Sequence, residues 1–400
     1  MSATSTSSES SLMARSASDP SSFRDHIPHK ERCCQRHRRL ICWRQCRLQP
    51  SSGGFAKSRL IPTGSCDQNS AGSGRIFVCR RSRNRVAHRS AEWSHLLVAK
   101  MHADELDIDA GLVHRLLRSQ FPRWADLPIE RLASGGTVNA VYRLGDELTV
   151  RLPLTEGGVK DLEREACWLP RLAPTLPVTI PTVVGAGAPG EGYPWVWAVH
   201  RWIDGETPVE GHLGKPELLV PDLAEFVTAL RKTNLNDGPN AYRGVPLATV
   251  DAHARAAIED LRRTDETIDA DTAMAAWNEA LAAPPWTAAP CWVHSDLMPN
   301  NLLVTADRLT AVLDFATIGV GDPACDVIPA WNLLPAPARQ TFRDNVNVDD
   351  ATWTRGRGWA LSMAVGQLPY YRNTNPIISA NARHVIREIL TTYTGARTAV

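Results

Sequence analysis

One stretch constrains this chain more than any other. Three apolar residues, Cys291-Trp292-Val293, run straight into the polar segment His294-Ser295-Asp296-Leu297-Met298-Pro299-Asn300-Asn301, and Asp314 follows 18 residues after Asp296. An apolar triplet bounded by turn formers reads as a short buried strand. Two more strands are predicted, at residues 302–305 and 311–313. An Asp, an Asn and a second Asp are thereby carried on the loops of adjacent strands. Asn and Asp on neighbouring loops make a hard-oxygen donor set suited to Mg²⁺, whose other ligands are waters and phosphate oxygens. Asp296 can then accept a proton from, or orient, an attacking hydroxyl. A single Asp is usually a surface cap; the ordered set carries the weight. The His-x-Asp pair lacks the third His or Cys that a transition-metal site needs nearby.

Charge divides the chain. The formal net charge over 400 residues is +1, but residues 1–100 hold 18 basic and 6 acidic groups, a charge of +12. Residues 101–400 hold 26 and 37, a charge of −11. The first segment also holds 19 serines and six of the nine cysteines, with no sustained period of 2 or 3.6. Low hydrophobicity with high charge cannot offset ordering entropy, so residues 1–100 are predicted to be a disordered basic extension. Three roles compete for it: a nucleic-acid arm, disfavoured by sparse aromatics; a metal site drawn from His26, His29, Cys33, Cys34, His37, Cys42 and Cys46, which lacks any C-x-x-C pair; and a transit peptide. A fourth reading puts the true start at Met101. No run approaches the ~20 apolar residues of a membrane helix, and residues 1–22 lack the apolar core of a secretory signal. The expected location is therefore the cytoplasm, with Cys167, Cys291 and Cys325 as reduced thiols.

Residues 107–121 carry apolar side chains at helical spacing, ended by Pro122. A strand at 129–132, a turn of Ser134, Gly135, Gly136, Thr137 and Asn139, a strand at 140–144, a Gly145-Asp146 hairpin turn and a strand at 148–152 follow. A helix is predicted over 160–172, a rigid connector over 174–181 and an aromatic strand over 195–203. Residues 221–283 are mostly helical, as is the chain from Pro323 onward. The fold class is α+β: a small β-rich lobe (residues 101–203), one connecting strand, and a larger, mainly helical lobe (204–400).

These motifs resemble the catalytic loop and metal Asp of the protein-kinase-like fold, and most closely the aminoglycoside phosphotransferase family of small-molecule kinases. That family typically reads H-G-D-L-x-P-x-N-L-L, then D-F/W with G-D-P-x-x-D-L. Here the second part is Asp314-Phe315-Ala316-Thr317-Ile318-Gly319-Val320-Gly321-Asp322-Pro323-Ala324-Cys325-Asp326. Ser295 and Val327 stand where Gly and Leu are common. The likeness spans residues ~105–395 and includes the late Leu368-Pro369-Tyr370-Tyr371 with Thr374-Asn375-Pro376. It implies Asp296 as catalytic base, Asn301 and Asp314 as Mg²⁺ ligands, and His294, Asp322 and Asp326 as supports of the loops. It also implies ATP or GTP as phosphoryl donor, covered by Ser134, Gly135, Gly136, Thr137 and Asn139. Arg151 stands where kinases carry Lys, and its ion-pair partner is expected to be Glu165, with Glu163 as the alternative. Residues 196–203 would be the hinge, with backbone groups of Arg201, Trp202 and Ile203 meeting the purine. The resemblance implies a small-molecule hydroxyl acceptor: an aminoglycoside or other antibiotic, or a metabolite such as a sugar, amino alcohol or homoserine-like compound. Arg151 also admits a nucleotide-binding pseudokinase. No A-P-E-like segment supports a protein kinase. The sequence implies no membrane partner and leaves the oligomeric state open. Acids such as Glu259, Asp260, Asp265, Glu266, Asp269 and Asp271 suit either a polycation site or, more simply, a solvated helix face.

Overall fold

The computed structural model describes residues 106–132 and 138–398. The extension over 1–100, Met101 and the turn residues Ser134, Gly135, Gly136 and Thr137 lie outside the described residues.

The first lobe is a five-stranded antiparallel sheet backed by a helix. Helix α1 (Ala110–Gln120) is capped by Asp109, whose carboxylate accepts from the Leu112 N–H at 2.7 Å. Strands β1 (Ile129–Arg131), β2 (Asn139–Leu144) and β3 (Leu148–Pro153) form a meander; β4 (Val183–Gly187) and β5 (Trp197–Arg201) complete the order β1-β2-β3-β5-β4. Alternation decides what each face does. Ala140, Tyr142 and Leu144 on β2, with Leu148, Val150 and Leu152 on β3, are buried against Val113, Leu116 and Leu117 of α1. Each Leu or Val among them contributes about 1.5–3 kcal/mol. The intervening residues turn to the other face. Among them is Arg151, in register with Val141 on β2 and Ala198 on β5. Helix α2 (Glu156–Leu172) lies on that side. It begins four residues before the predicted start, and β5 is shorter than the predicted strand.

The helical lobe contains α3 (Pro216–Lys232), α4 (Asp251–Thr264), α5 (Ala270–Ala282), the single turn α6 (Pro329–Asn332), α7 (Ala336–Val346), α8 (Asp350–Tyr371) and α9 (Pro376–Thr398). Helix α3 starts at Pro216, where a proline needs no N–H partner, and accommodates Pro221 in its interior. Helix α8 is buried along most of its length, packed against α4, α5 and α9. No helix among the described residues is long and apolar enough to cross a membrane.

Two small ribbons sit between the lobes. Strand β6 (Cys291–Val293) pairs with β9 (Gly319–Gly321), and β7 (Leu302–Thr305) pairs with β8 (Arg308–Val312). Backbone bonds pin the second ribbon to the segments flanking β4 and β5. Thr179 exchanges bonds with Thr310 and Val312 at 3.1 Å each, and Glu206 with Val304 at 2.9 and 2.8 Å. The second ribbon is thereby tied to the chain that enters and leaves the sheet of the first lobe.

Candidate active site

Residues 294–301 leave the end of β6, and Asp314 leaves the end of β8. One backbone unit joins them. The Leu313 N–H donates to the Asn301 carbonyl at 2.7 Å, and the His294 Nε2–H donates to the Leu313 carbonyl at 3.0 Å. A carbonyl only accepts, so Nε2 carries the proton. The His294 ring is fully buried, edge-on to Phe315 at 4.7 Å and Phe226 at 6.4 Å. It is a strut under both loops.

Ser295 adopts φ 64°, a left-handed conformation in which an L residue is strained. The position suits glycine; Ser295 holds it through three bonds. Its N–H donates to Asp326 Oδ1 at 2.7 Å, its hydroxyl to the Thr317 carbonyl at 2.9 Å, and its carbonyl accepts from Arg243 at 2.9 Å. Asp326 also accepts from the His294 N–H at 2.8 Å, so one buried carboxylate clamps the start of the loop. Burial pushes the Asp326 carboxyl up, against the opposing pull of His294 and the two N–H donors. Asp322 caps the turn Pro323–Val327 by accepting from the Ala324 N–H at 3.0 Å, and pairs with Arg355 at 2.7 Å.

Asp296 is thus presented with its side chain one-fifth exposed. Asn301 is buried; its Nδ2 donates to the Asp296 carbonyl at 2.9 Å and to Asp296 Oδ2 at 3.3 Å. That leaves Asn301 Oδ1, which accepts from Asn300 at 3.1 Å, with a second lone pair. Asp314 has φ 57° and a side chain 41% exposed. One amide oxygen and one open carboxylate fit the share of the Mg²⁺ shell that protein supplies when phosphate oxygens and water supply the rest. No cluster of three or more His, Cys, Asp or Glu able to hold a metal occurs among the described residues.

The first lobe meets these loops through α2. Glu165 is fully buried; its Oε2 pairs with Arg151 Nη1 at 2.8 Å and its Oε1 accepts from the Phe315 N–H at 2.9 Å. Glu165, not Glu163, holds Arg151. Arg151 Nη2 also stands 4.0 Å from Asp314. Burial works against the Arg151 charge, yet Glu165 and then Asp314 hold its pKa above the ordinary value. A cation, a buried acid and the loop carrying Asp314 are thereby linked.

In the predicted hinge, two N–H groups are committed to the sheet. The Arg201 N–H donates to the Thr182 carbonyl at 3.0 Å and the Trp202 N–H to the Glu147 carbonyl at 2.7 Å. Neither N–H faces a purine, because both close the sheet. Ile203 has no backbone partner among the described residues. Asn139 opens β2, and its buried Oδ1 has no partner among them either. The acids of the helical lobe do not converge on Asp296. Asp269 and Asp349 cap α5 and α8, and Glu259, Asp260, Asp265 and Asp271 pair with arginines of the lobe. Apart from Asp265, whose side chain is nearly buried against Arg383, they match the solvated-face alternative. Burial pushes the Cys291 thiol up to about 12 and raises that of Cys325, so neither is a nucleophile at neutral pH.

Sequence reasoning missed two residues near the site. Arg243 reaches Asp296 Oδ1 at 3.0 Å from the loop between α3 and α4. His200, on β5, is buried, and neither ring nitrogen has a partner among the described residues. Burial, with Arg151 adding to it, pushes its pKa from 6.5 down to about 3. The folded chain therefore keeps His200 neutral while the unfolded chain takes up a proton below pH 6.5. Stability is lost as pH falls from about 6.5 toward 3, by up to about 1.4 kcal/mol per pH unit. His200→Leu is expected to flatten this acid limb. Urea melts of both proteins at pH 7 and pH 4.5 check it; equal losses would rule His200 out as the cause.

Residues 129–359 match the profile of APH, the phosphotransferase enzyme family. A search of curated proteins finds no match. Among solved structures, the GDP and kanamycin complex of APH(2")-IIia is similar at 19% identity and TM-score 0.56, covering 70% of this chain and 98% of that one. The GDP complex of a point mutant of aminoglycoside 2'-phosphotransferase-IIIa is similar at 18% identity and TM-score 0.59, covering 72% and 99%. At such identities the likeness is one of fold.

Proposed function

The chain belongs to the phosphotransferase enzyme family, and from that premise we propose that it moves the γ-phosphoryl group of ATP or GTP to a hydroxyl of a small molecule of the aminoglycoside or other antibiotic class. One observation carries the reading. Asp296 and Asn301 share one loop, Asp314 stands on another, and the two loops are tied together through the single residue Leu313. A scaffold that only binds nucleotide has no use for all three.

Asp296 takes the proton of the acceptor hydroxyl as its oxygen attacks the γ-phosphorus, the bond from that phosphorus to the bridging oxygen breaks and the nucleoside diphosphate leaves; Asn301 steadies the Asp296 carboxylate. Asn301 Oδ1 and Asp314 would hold Mg²⁺, which when bound offsets charge on the β- and γ-phosphates. Arg151, fixed by Glu165, directs its guanidinium at the phosphates; an Arg fork does this by a different reach from Lys. Ser134, Gly135, Gly136, Thr137 and Asn139 cover the phosphates, and the Ile203 backbone with the carbonyls of Arg201 and Trp202 meets the base. His294, Asp322 and Asp326 keep the loops in place. Residues 101–203 carry the nucleotide side and residues 204–400 the acceptor side. The GDP and kanamycin of the fold relative support a purine nucleotide and an alcohol-bearing antibiotic. Fold alone does not choose among aminoglycosides, macrolides, amino alcohols and sugars.

The test incubates the full chain with Mg²⁺ and either ATP or GTP against that panel of alcohols, and reads product by mass spectrometry. At least one acceptor is expected to gain a single phosphoryl group, and chelating the divalent cation is expected to stop the transfer. Nucleotide binding without transfer to any alcohol would favour the pseudokinase reading instead.

A further inference from the structure

The loop that delivers Asp296 contains no Lys or Arg over residues 294–301. A cation nevertheless lies against the carboxylate. Arg243 Nη1 donates to Asp296 Oδ1 at 3.0 Å and to the Ser295 carbonyl at 2.9 Å, while Asn301 Nδ2 donates to Oδ2 at 3.3 Å. The two oxygens are held by donors from two separate segments, which sets the plane of the carboxylate.

We propose that Arg243 is the positioning residue of this site: docked from outside the loop, it fixes the Asp296 carboxylate for proton transfer. This rests on the function proposed above.

The placement of Arg243 is built, not incidental. Its segment pairs with β9 and the residues around it. The Ala241 N–H donates to the Val320 carbonyl at 3.1 Å and the Val320 N–H to the Pro239 carbonyl at 2.8 Å. The Tyr242 N–H donates to the Thr317 carbonyl at 3.1 Å, and the Asp322 N–H to the Gly244 carbonyl at 2.8 Å. This approach needs glycine on β9. A Cβ on Gly319 would stand 2.4 Å from Ala241 N and from Pro239 O, and one on Gly321 would stand 2.6 Å from Gly244 O. The strand Gly319-Val320-Gly321 is therefore a seat for the Arg243 segment. The guanidinium itself lies over the Tyr242 ring at 5.1 Å, and the Arg243 side chain is one-fifth exposed.

Two consequences follow for chemistry. A general base must keep one oxygen within hydrogen-bond reach of the acceptor hydroxyl, and a misplacement of about 1 Å costs on the order of 10²-fold. A fixed cation beside Asp296 also offsets repulsion between that carboxylate and the phosphoryl oxygens arriving next to it. Arginine suits this role because its planar fork stays charged and keeps its geometry.

The experiment compares Arg243→Gln, Arg243→Lys, Asp296→Asn and the double variant Asp296→Asn/Arg243→Gln in the full chain. Activity is read as Mg²⁺-dependent ATP hydrolysis, in which water is the acceptor, and as transfer to kanamycin. Arg243→Gln is expected to lower kcat by about 10²-fold with KM for ATP within about twofold. Arg243→Lys is expected to recover part of that loss. The double variant is expected to be no slower than Asp296→Asn alone, because Arg243 acts through Asp296. Arg243→Gln at wild-type rate beside an inactive Asp296→Asn would overturn the inference and leave the function standing. Losses that multiply in the double variant would overturn it as well. So would an Arg243→Lys variant as slow as Arg243→Gln with an equal fall in Tm, the mark of a purely structural tie. Full activity in Asp296→Asn would remove the function and this inference together.

Discussion

Asp296→Asn is expected to lower kcat by about 10²–10⁴-fold, with KM for the nucleotide within about twofold. Asparagine keeps the volume of the side chain, and its Oδ1 can still accept from Arg243, which reaches that position at 3.0 Å. What it loses is the ability to take a proton and the weaker bond from Asn301 Nδ2, at 3.3 Å, since an amide nitrogen there cannot accept. The nucleotide side is untouched, because Arg151 and Glu165 belong to the sheet and α2, and they meet each other at 2.8 Å whatever stands at position 296. Steady-state kinetics with ATP and any acceptor identified in the panel, or with water, gives both constants. Turnover equal to that of the unmodified chain would exclude Asp296 as the base. A large rise in KM with kcat unchanged would place Asp296 in binding instead.

The second large effect is on stability. Arg355→Ala is expected to destabilise the helical lobe by about 3–5 kcal/mol. Arg355 and Asp322 have side chains 5% and 8% exposed and meet at 2.7 and 3.1 Å. Arg355 also donates to the Pro284 carbonyl and to Thr352 Oγ1. Its removal leaves a buried carboxylate at the head of the turn that carries Asp326, with no partner for its charge. A buried pair is a weak source of net stability, but breaking one side of it is costly. Urea melts followed by tryptophan fluorescence measure the change. The double replacement Asp322→Leu/Arg355→Leu is expected to recover part of the loss, since it leaves no lone charge. An Arg355→Ala protein as stable as its parent would show that solvent reaches Asp322.

Much of the site was legible because its residues are close in sequence. Asp296 and Asn301 lie five apart on one loop, so their distance is set by local turn geometry. His294 follows an apolar triplet, and its burial follows from that strand. The β2–β3 meander was legible from alternation around Gly145-Asp146, since one residue in two faces α1. Strand β4 was not, because Val183-Val184-Gly185-Ala186-Gly187 is short and holds two glycines, a poor strand signal without its partner β5. The family resemblance favoured Glu165 over Glu163, and the rotation of α2 about its axis gives the physical reason. Two residues are roughly 200° apart on a helix, so only one of them faces Arg151.

The sequence by itself determined the class of fold, the order of the loops and the identities of Asp296, Asn301 and Asp314. Periodicity and turn formers act over a few residues, and those residues print directly in the chain. The tertiary structure alone decided that Arg243 lies on Asp296, that the N–H groups of Arg201 and Trp202 close the sheet, and that His200 sits neutral behind Arg151. Arg243 is 53 residues before Asp296, in a loop with no period of its own. Its position comes from backbone pairing with a strand whose glycines let it approach, and a contact made by main-chain groups leaves almost no mark in side-chain pattern.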